Sequence, residues 1–292
     1  MIGAVVVLYK PDVNVVSKLI ESLVEQVDRV ILVDNSPSQS QFLKLDDNVE
    51  YVFFGQNKGI ASGHNYGLKV LMARKFDYAV LFDQDSYVDE YYVRGMQELF
   101  ELSEQMDFDL AAIGPKISCN FTDNIIKPKF QRTAFDYDSL QGVPQIIASG
   151  MTIKVSALEK IGLKEDSLFI DGVDHEWCWR AKQKGFHVAQ AKNIIMNHRL
   201  GDSRSKFLGL TYKVGSPIRL YYQFRNILIL SRRGYVPTYW KVRCISLMPV
   251  RLFLNAVMQR QRKARLRFML LGLIDGIFKR VGPYKQTFQK HL

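Results

Sequence analysis

The strongest constraint on this chain is a pattern repeated through its first third: a short apolar run, a polar cluster, then a helical period. Gly3 to Tyr9 is such a run and ends in the turn Lys10-Pro11. Val30-Ile31-Leu32-Val33 is a second, closed by Asp34-Asn35-Ser36-Pro37. Tyr51 to Phe54 is a third, and Tyr78-Ala79-Val80-Leu81-Phe82 is a fourth that delivers Asp83. Between them Val16, Leu19, Ile20, Leu23 and Val27 recur at the spacing of one helix face, and Ala61 to Arg74 reads as a second helix. Strand and helix in short alternation predict an α/β fold whose sheet is mainly parallel. In such sheets ligands bind beyond the carboxyl ends of the strands. The polar clusters fall at those ends: Tyr9-Lys10, Asp34-Asn35, Gly55-Gln56-Asn57 and Asp83-Gln84-Asp85.

Further along, Gln145 to Ile153 reads as another apolar strand. A helix is expected from about Val173 to Lys184 and a strand near His187 to Ala191. After Gly201 the composition turns basic and aromatic. The expected division is therefore an α/β domain over 1–204 and a basic, amphipathic helical region over 205–292. The charge supports this split. The net charge is +11, yet the segment from Ser205 onward holds 18 Lys and Arg against the single acid Asp275, so residues 1–204 carry −6. Such asymmetry speaks of partners rather than fold.

Other classes are excluded by what the sequence lacks. Cys119, Cys178 and Cys244 are odd in number and have no CxxC spacing, which argues against a disulfide framework or a structural zinc site and fits a reducing compartment. The first strand lacks the basic start and cleavage site of a signal peptide. No apolar run approaches the roughly 18 residues of a spanning helix.

Three stretches could carry chemistry. Asp83 and Asp85, one residue apart after a buried strand, can approach a divalent cation bridging a diphosphate, or they are solvated turn acids. The glycine-rich stretch Gly55 to Gly67 opens a helix, and its amides could hold phosphate or ribose oxygens, or form a plain capped turn. It is neither a P-loop nor a dinucleotide fingerprint. Asp171, Asp174 and Glu176 gather at a helix start, either as capping and dipole compensation or as the source of a general base. His198 is a lone histidine after a strand, packed, exposed or a ligand.

Taken in order, Val5-Val6-Val7-Leu8-Tyr9-Lys10-Pro11, Val33-Asp34-Asn35-Ser36, Asn57-Lys58-Gly59-Ile60-Ala61, Asp83-Gln84-Asp85, Asp174-His175-Glu176-Trp177 and Asn197-His198-Arg199 resemble family 2 glycosyltransferases. The resemblance is greatest to bacterial rhamnosyltransferases of O-antigen, capsular and cell-wall polysaccharide synthesis, and it covers residues 2 to 204. It implies a GT-A fold: a nucleotide-binding sheet merged with an acceptor-binding half. By the same resemblance Tyr9, Asp34, Asn57, Gly59 and Asp83 bind the nucleotide. Asp85, with Asp83 and His198, holds Mg²⁺ or Mn²⁺. Asp174 is the base for an inverting transfer, with Asp171, Glu176 and Trp177 on the acceptor side. Asp171 competes with Asp174 for the base role, because the usual acidic pair reads here as Asp-His-Glu-Trp.

The donor so implied is dTDP-L-rhamnose, with a UDP-hexose or galactofuranose donor as the alternative. The acceptor is a polyprenyl-diphosphate-linked glycan, which places the enzyme at the inner face of the plasma membrane. The basic and aromatic C-terminal helices suit an anionic bilayer surface, or a solvated face packed on the catalytic domain or a second subunit in a homo-oligomer. Nucleic acid is not expected, because no motif for it accompanies the charge. A non-enzymatic membrane-surface scaffold is the rival from another class.

Overall fold

The structure is a computed structural model that describes residues 1–42, 44–105, 109–119, 133–198, 204–207, 210–213 and 215–284. Side chains of residues 118–119, 197–198, 204–207 and 210–213 fall outside the description. The chain forms two compact units. One comprises Met1–Lys164 and Trp177–Leu200, the other Glu165–Glu176 and Gly201–Leu292.

In the first unit the apolar runs become β1 (Ile2–Leu8), β2 (Arg29–Asp34), β3 (Val49–Phe53) and β4 (Tyr78–Asp83). These four pair in parallel, with Val7 opposite Val33 on one side and Asp83 on the other. The helical periods become α1 (Val13–Val24), α2 (Ile60–Ala73) and α3 (Tyr92–Ser103). The rest of the unit supplies β5 (Leu110–Cys119), β6 (Leu140–Gly142), β7 (Met151–Lys154), α4 (Val155–Ile161), most of α5 (Val173–Gln183) and β8 (His187–His198). All eight strands join one sheet in the order β3-β2-β1-β4-β7-β5-β8-β6.

Strand alternation sends successive side chains to opposite faces. Val6, Leu8 and Leu32 pack with Leu19, Leu23, Met96 and Phe100 of α1 and α3 on one face. Val5, Ile31 and Val33 pack with Leu68 and Leu71 of α2 on the other, together with Ile153 and Trp177. A parallel sheet covered on both faces explains why β1 reads as a continuous apolar run rather than an alternating one.

The expected mainly parallel sheet stands: β1 to β4 and the pair β5–β8 are parallel, and antiparallel pairs enter where β7 meets β4 and β5 and where β6 meets β8. One expectation needs correction. The run Gln145 to Ile153 is not one strand. Gly150 sits at φ +75°, in the left-handed region, and Met151 N–H donates to Ala148 O at 2.8 Å. That turn breaks the extended chain, so only Met151–Lys154 joins the sheet.

The second unit contains the hairpin β9 (Arg204–Phe207) and β10 (Leu210–Lys213) and three helices: α6 (Pro217–Ser231), α7 (Thr238–Val257) and α8 (Arg262–Ile277). Leu220, Phe224 and Ile227 of α6 meet Met248 of α7 and Met269 of α8 in its core. α8 lies close on α6 because Gly272 and Gly276 leave room. A Cβ at Gly272 would stand 2.4 Å from Tyr221 O, and one at Gly276 would stand 3.0 Å from Arg225 O. Among the described residues no helix is long and apolar enough to cross a membrane.

Candidate active site

The ends of β1 and β4 are clipped together by the middle residue of the acidic triplet. Gln84 Oε1 accepts from the Tyr9 backbone N–H at 2.7 Å, and Gln84 Nε2 donates to Tyr9 O at 3.3 Å. The Tyr9 side chain is left exposed, as is Asp85. Asp83 accepts a hydrogen bond from the Ser149 hydroxyl. Ser149 is placed by the turn at Gly150, whose N–H donates to Leu81 O at 2.8 Å and whose carbonyl accepts from the Tyr92 hydroxyl at 2.5 Å. No periodic signal marks Ser149 or Tyr92 as part of this arrangement.

At the end of β2, Asp34 is buried but well satisfied. Its Oδ1 accepts from Ser36 N–H at 2.8 Å. Its Oδ2 accepts from Ser40 N–H at 3.1 Å and from the Tyr51 hydroxyl at 2.6 Å. Burial pushes its pKa up, but the hydrogen bonds from Ser36, Ser40 and Tyr51 outweigh that and hold it below the usual carboxylate value. Burial and the neighbouring Asp34 push the Tyr51 phenol up to about 12. Asp34 thus fixes the loop 36–40, and the Ser36 hydroxyl in turn accepts from Lys10 N–H at 2.7 Å.

The glycine-rich stretch serves two purposes. Gly59 caps α2 at φ +91°, a conformation that favours glycine. The turn is held by Asn57 Oδ1, which accepts from Gly59 N–H at 2.9 Å, and by buried Asn35, which accepts from Lys58 N–H at 3.2 Å and donates to Gly59 O at 3.0 Å. Gly63 and Gly67 instead lie against β1, where a Cβ would stand 2.7 Å from Val7 Cγ1 and 2.4 Å from Val5 Cγ1. Asn35 was visible in the sequence only as the neighbour of Asp34. Asp34 and Asp83 therefore end β2 and β4, and Tyr9, Asn57, Gly59 and Asp85 lie on the loops after β1, β3 and β4.

The other acids belong to the second unit, in the segment Glu165–Glu176. Its backbone is strained: Phe169 and Asp171 have φ of +66° and +61°, ahead of Gly172 at +90°. Each such non-glycine residue costs of order 1–3 kcal/mol and persists only when its surroundings impose it. Asp171 forms a two-point ion pair with Arg219, at 2.9 Å from Nε to Oδ2 and 2.9 Å from Nη2 to Oδ1. Glu176 is fully buried and accepts from the Tyr235 hydroxyl at 2.6 Å and Arg233 Nη1 at 3.2 Å, while Arg233 Nη2 reaches Glu165 at 3.1 Å. Burial, hydrogen bonding to Glu176 and its charge raise the Tyr235 pKa to about 12. Asp174, half-buried, is the second residue of α5. Trp177, one turn on and in the first unit, is buried and donates from its indole N–H to Gly162 O at 2.9 Å.

The carboxylates at the end of β4 are hard oxygen donors suited to Mg²⁺ or Mn²⁺. Among the described residues no group of three or more His, Cys, Asp or Glu forms a ready-made metal cluster. His198 closes β8, and its side chain lies outside the described residues.

Solved structures share this architecture. TarS of S. aureus, residues 1-349 in complex with UDP-GlcNAc, superposes with a TM-score of 0.54 at 12% identity over 94% of this chain and 81% of its own. GalNAc-T7, solved with UDP, GalNAc and Mn2+, gives 0.52 at 12% identity over 96% and 56%. A mixed sheet of this order, with a helical C-terminal region, is the GT-A architecture. The chain belongs to glycosyl transferase family 2, whose model matches residues 4–162. It is 30% identical over 289 residues to the dTDP-rhamnosyl transferase RfbF of Shigella flexneri, covering 94% of this chain and 95% of that one.

Proposed function

We propose that the enzyme moves L-rhamnose from dTDP-L-rhamnose, with inversion, to a hydroxyl of a polyprenyl-diphosphate-linked glycan in surface polysaccharide synthesis. The observation that carries the donor is the match to a dTDP-rhamnosyl transferase along nearly the whole of both chains. In this reading the loops after β1 to β4 receive the nucleotide, with Tyr9, Asp34, Asn57, Gly59 and Asp83 around it. Asp85, Asp83 and His198 would hold Mg²⁺ or Mn²⁺, which supplies charge neutralisation at the diphosphate.

Asp174 takes the proton from the acceptor hydroxyl. That oxygen forms the new bond to the anomeric carbon as the bond from this carbon to the diphosphate breaks, and dTDP leaves with the electron pair. The role goes to Asp174 on its place in the Asp-His-Glu-Trp motif at the start of α5, while Asp171 pairs with Arg219 and buried Glu176 with Tyr235 and Arg233.

The second unit would rest on an anionic membrane surface. Val242, Val250 and Phe253 of α7, and Leu266, Leu270, Ile274 and Ile277 of α8, are exposed. Exposed Arg243, Lys263 and Arg267 lie among them. Each basic residue near such a surface contributes about 1 kcal/mol. Flotation with liposomes checks this: binding is expected with acidic lipid and lost with neutral lipid, and indifference to lipid charge counts against it.

Incubation with a panel of sugar nucleotides, with and without EDTA, tests the donor and the metal together. Release of dTDP from dTDP-L-rhamnose is expected, abolished by EDTA and restored by Mn²⁺ or Mg²⁺. Turnover of a UDP-hexose alone would sink the rhamnose reading.

A further inference from the structure

The base reading leaves a mechanical question: what holds a backbone with two non-glycine residues at positive φ directly ahead of the helix that carries Asp174. The answer lies in α6, an element the sequence marks only as basic and aromatic. Asn226 is buried at 2% exposure, and its Nδ2 stands 3.0, 2.7 and 2.9 Å from the carbonyl oxygens of Leu168, Ile170 and Asp171. Its Oδ1 is fixed by Arg225 Nε at 3.0 Å.

Arg225 is wholly buried, and among the described residues its hydrogen bonds go to carbonyl oxygens and to the amide of Asn226. Its guanidinium donates to Leu168 O at 2.9 Å, to Ser167 O at 3.3 Å and to Gly282 O, and it lies 5.0 Å from the Tyr222 ring centroid. That ring stacks on Phe169, one of the strained residues, at 4.7 Å and 10°. Arg219, two turns earlier on α6, holds the carboxylate of Asp171. One helix thus grips the backbone at residues 167, 168, 170 and 171 and side chains at 169 and 171.

A guanidinium and an amide spent mainly on carbonyls of one loop are costly to bury for packing alone, since each needs every donor satisfied. We infer that α6 is a brace for the base-carrying loop, with Asn226 as its central positioning residue and Arg225 and Arg219 as supports. This rests on the assignment of Asp174 as the base. The carbonyl-facing amide sets where α5 begins and hence where the Asp174 carboxylate stands. None of the three touches substrate in this account. They act through the loop.

Asn226→Asp tests it, because the change keeps size and puts an acceptor oxygen where the donating nitrogen faced three carbonyls. Transfer to a polyprenyl-diphosphate-linked glycan is expected to fall about 100-fold in kcat, with the Kd for dTDP and Mn²⁺ within twofold of the parent. Hydrogen exchange should quicken in residues 166–174 and stay unchanged in the strands of the sheet. In an Asp174→Asn background the second change should add less than twofold, because both act on one group. A kcat within threefold of the parent overturns the inference. So does a loss of dTDP affinity in step with kcat, which is the mark of general damage. If Asn226→Asp does not yield folded protein, Arg219→Lys carries the test. It keeps the charge but not the two-point geometry, and a fall in kcat of about 10-fold with unchanged dTDP affinity is expected, an unchanged kcat being decisive against. Asp174→Asn transferring at the parental rate would remove the base reading itself. Asp174→Asn inactive beside a fully active Asn226→Asp would remove the brace alone.

Discussion

The two units of this enzyme are held together by different means. In the sheet unit, apolar side chains fill both faces and buried polar residues such as Asp34, Asn35 and Ser149 gather at strand ends and turns. In the helical unit the apolar clusters among the described residues are small, and Glu176, Arg225, Asn226, Asn255 and Arg265 are themselves buried. An apolar core tolerates exchange of one hydrophobic residue for another of like volume. A core built on ions and amides does not, since removing one partner strands the other. The first unit is therefore robust and the second exacting, and the proposed base lies in the exacting one.

The largest expected effect separates chemistry from both scaffolds. Asp174→Asn should lower transfer about 1,000-fold, within the range for general-base removal, and leave dTDP binding intact by calorimetry. Near-parental transfer would detach the helical unit from the chemistry.

Next come two substitutions that set one core against the other. Glu176→Gln is expected to destabilise by about 2 kcal/mol, because Arg233 keeps Glu165 but loses the charge of its buried acceptor. Gly67→Ala is expected to cost about 2 kcal/mol by forcing a methyl against Val5. Urea unfolding followed by hydrogen exchange should place the first loss in residues 165–176 and α6, the second in β1 and α2. Equal spread of both losses over the whole chain would erase the contrast.

The smallest effect is a pH dependence confined to the sheet unit. Asp34 has a depressed pKa in the fold, so its contribution is present above its unfolded value of about 3.9 and is lost as pH falls through the folded one. Tyr51 has the opposite sense. Its stabilising effect is complete below about 10, the unfolded value, and is lost as pH rises toward about 12. Tyr51→Phe should weaken both dependences together by removing the shared hydrogen bond. A variant with an unchanged stability profile at both ends would show that the pair contributes nothing.

The contrast also marks what the sequence made legible. β1 to β4, α1 and α2 were readable because burial on fixed faces imprints a period on residue type, and the loops after those strands gathered the nucleotide-side candidates. The break at Gly150 was not, because one backbone dihedral decides it and the flanking residues still look like a strand. Nor were the roles of Asn226 and Arg225. Their partners are carbonyl oxygens more than fifty positions away, and carbonyls have no identity in a sequence. Nor was the partner of Asp171, because Arg219 lies 48 positions downstream.

Gln84 has a consequence of its own. Its amide joins the backbone beside Tyr9 to the turn that carries Asp83 and Asp85, so displacement of either loop end is felt at the other. If cation and nucleotide settle on the two sides of this clip, as proposed, whatever one does to the affinity of the other is returned by the same factor. Loss of the Gln84 amide would then weaken that exchange and leave the two binding as strangers.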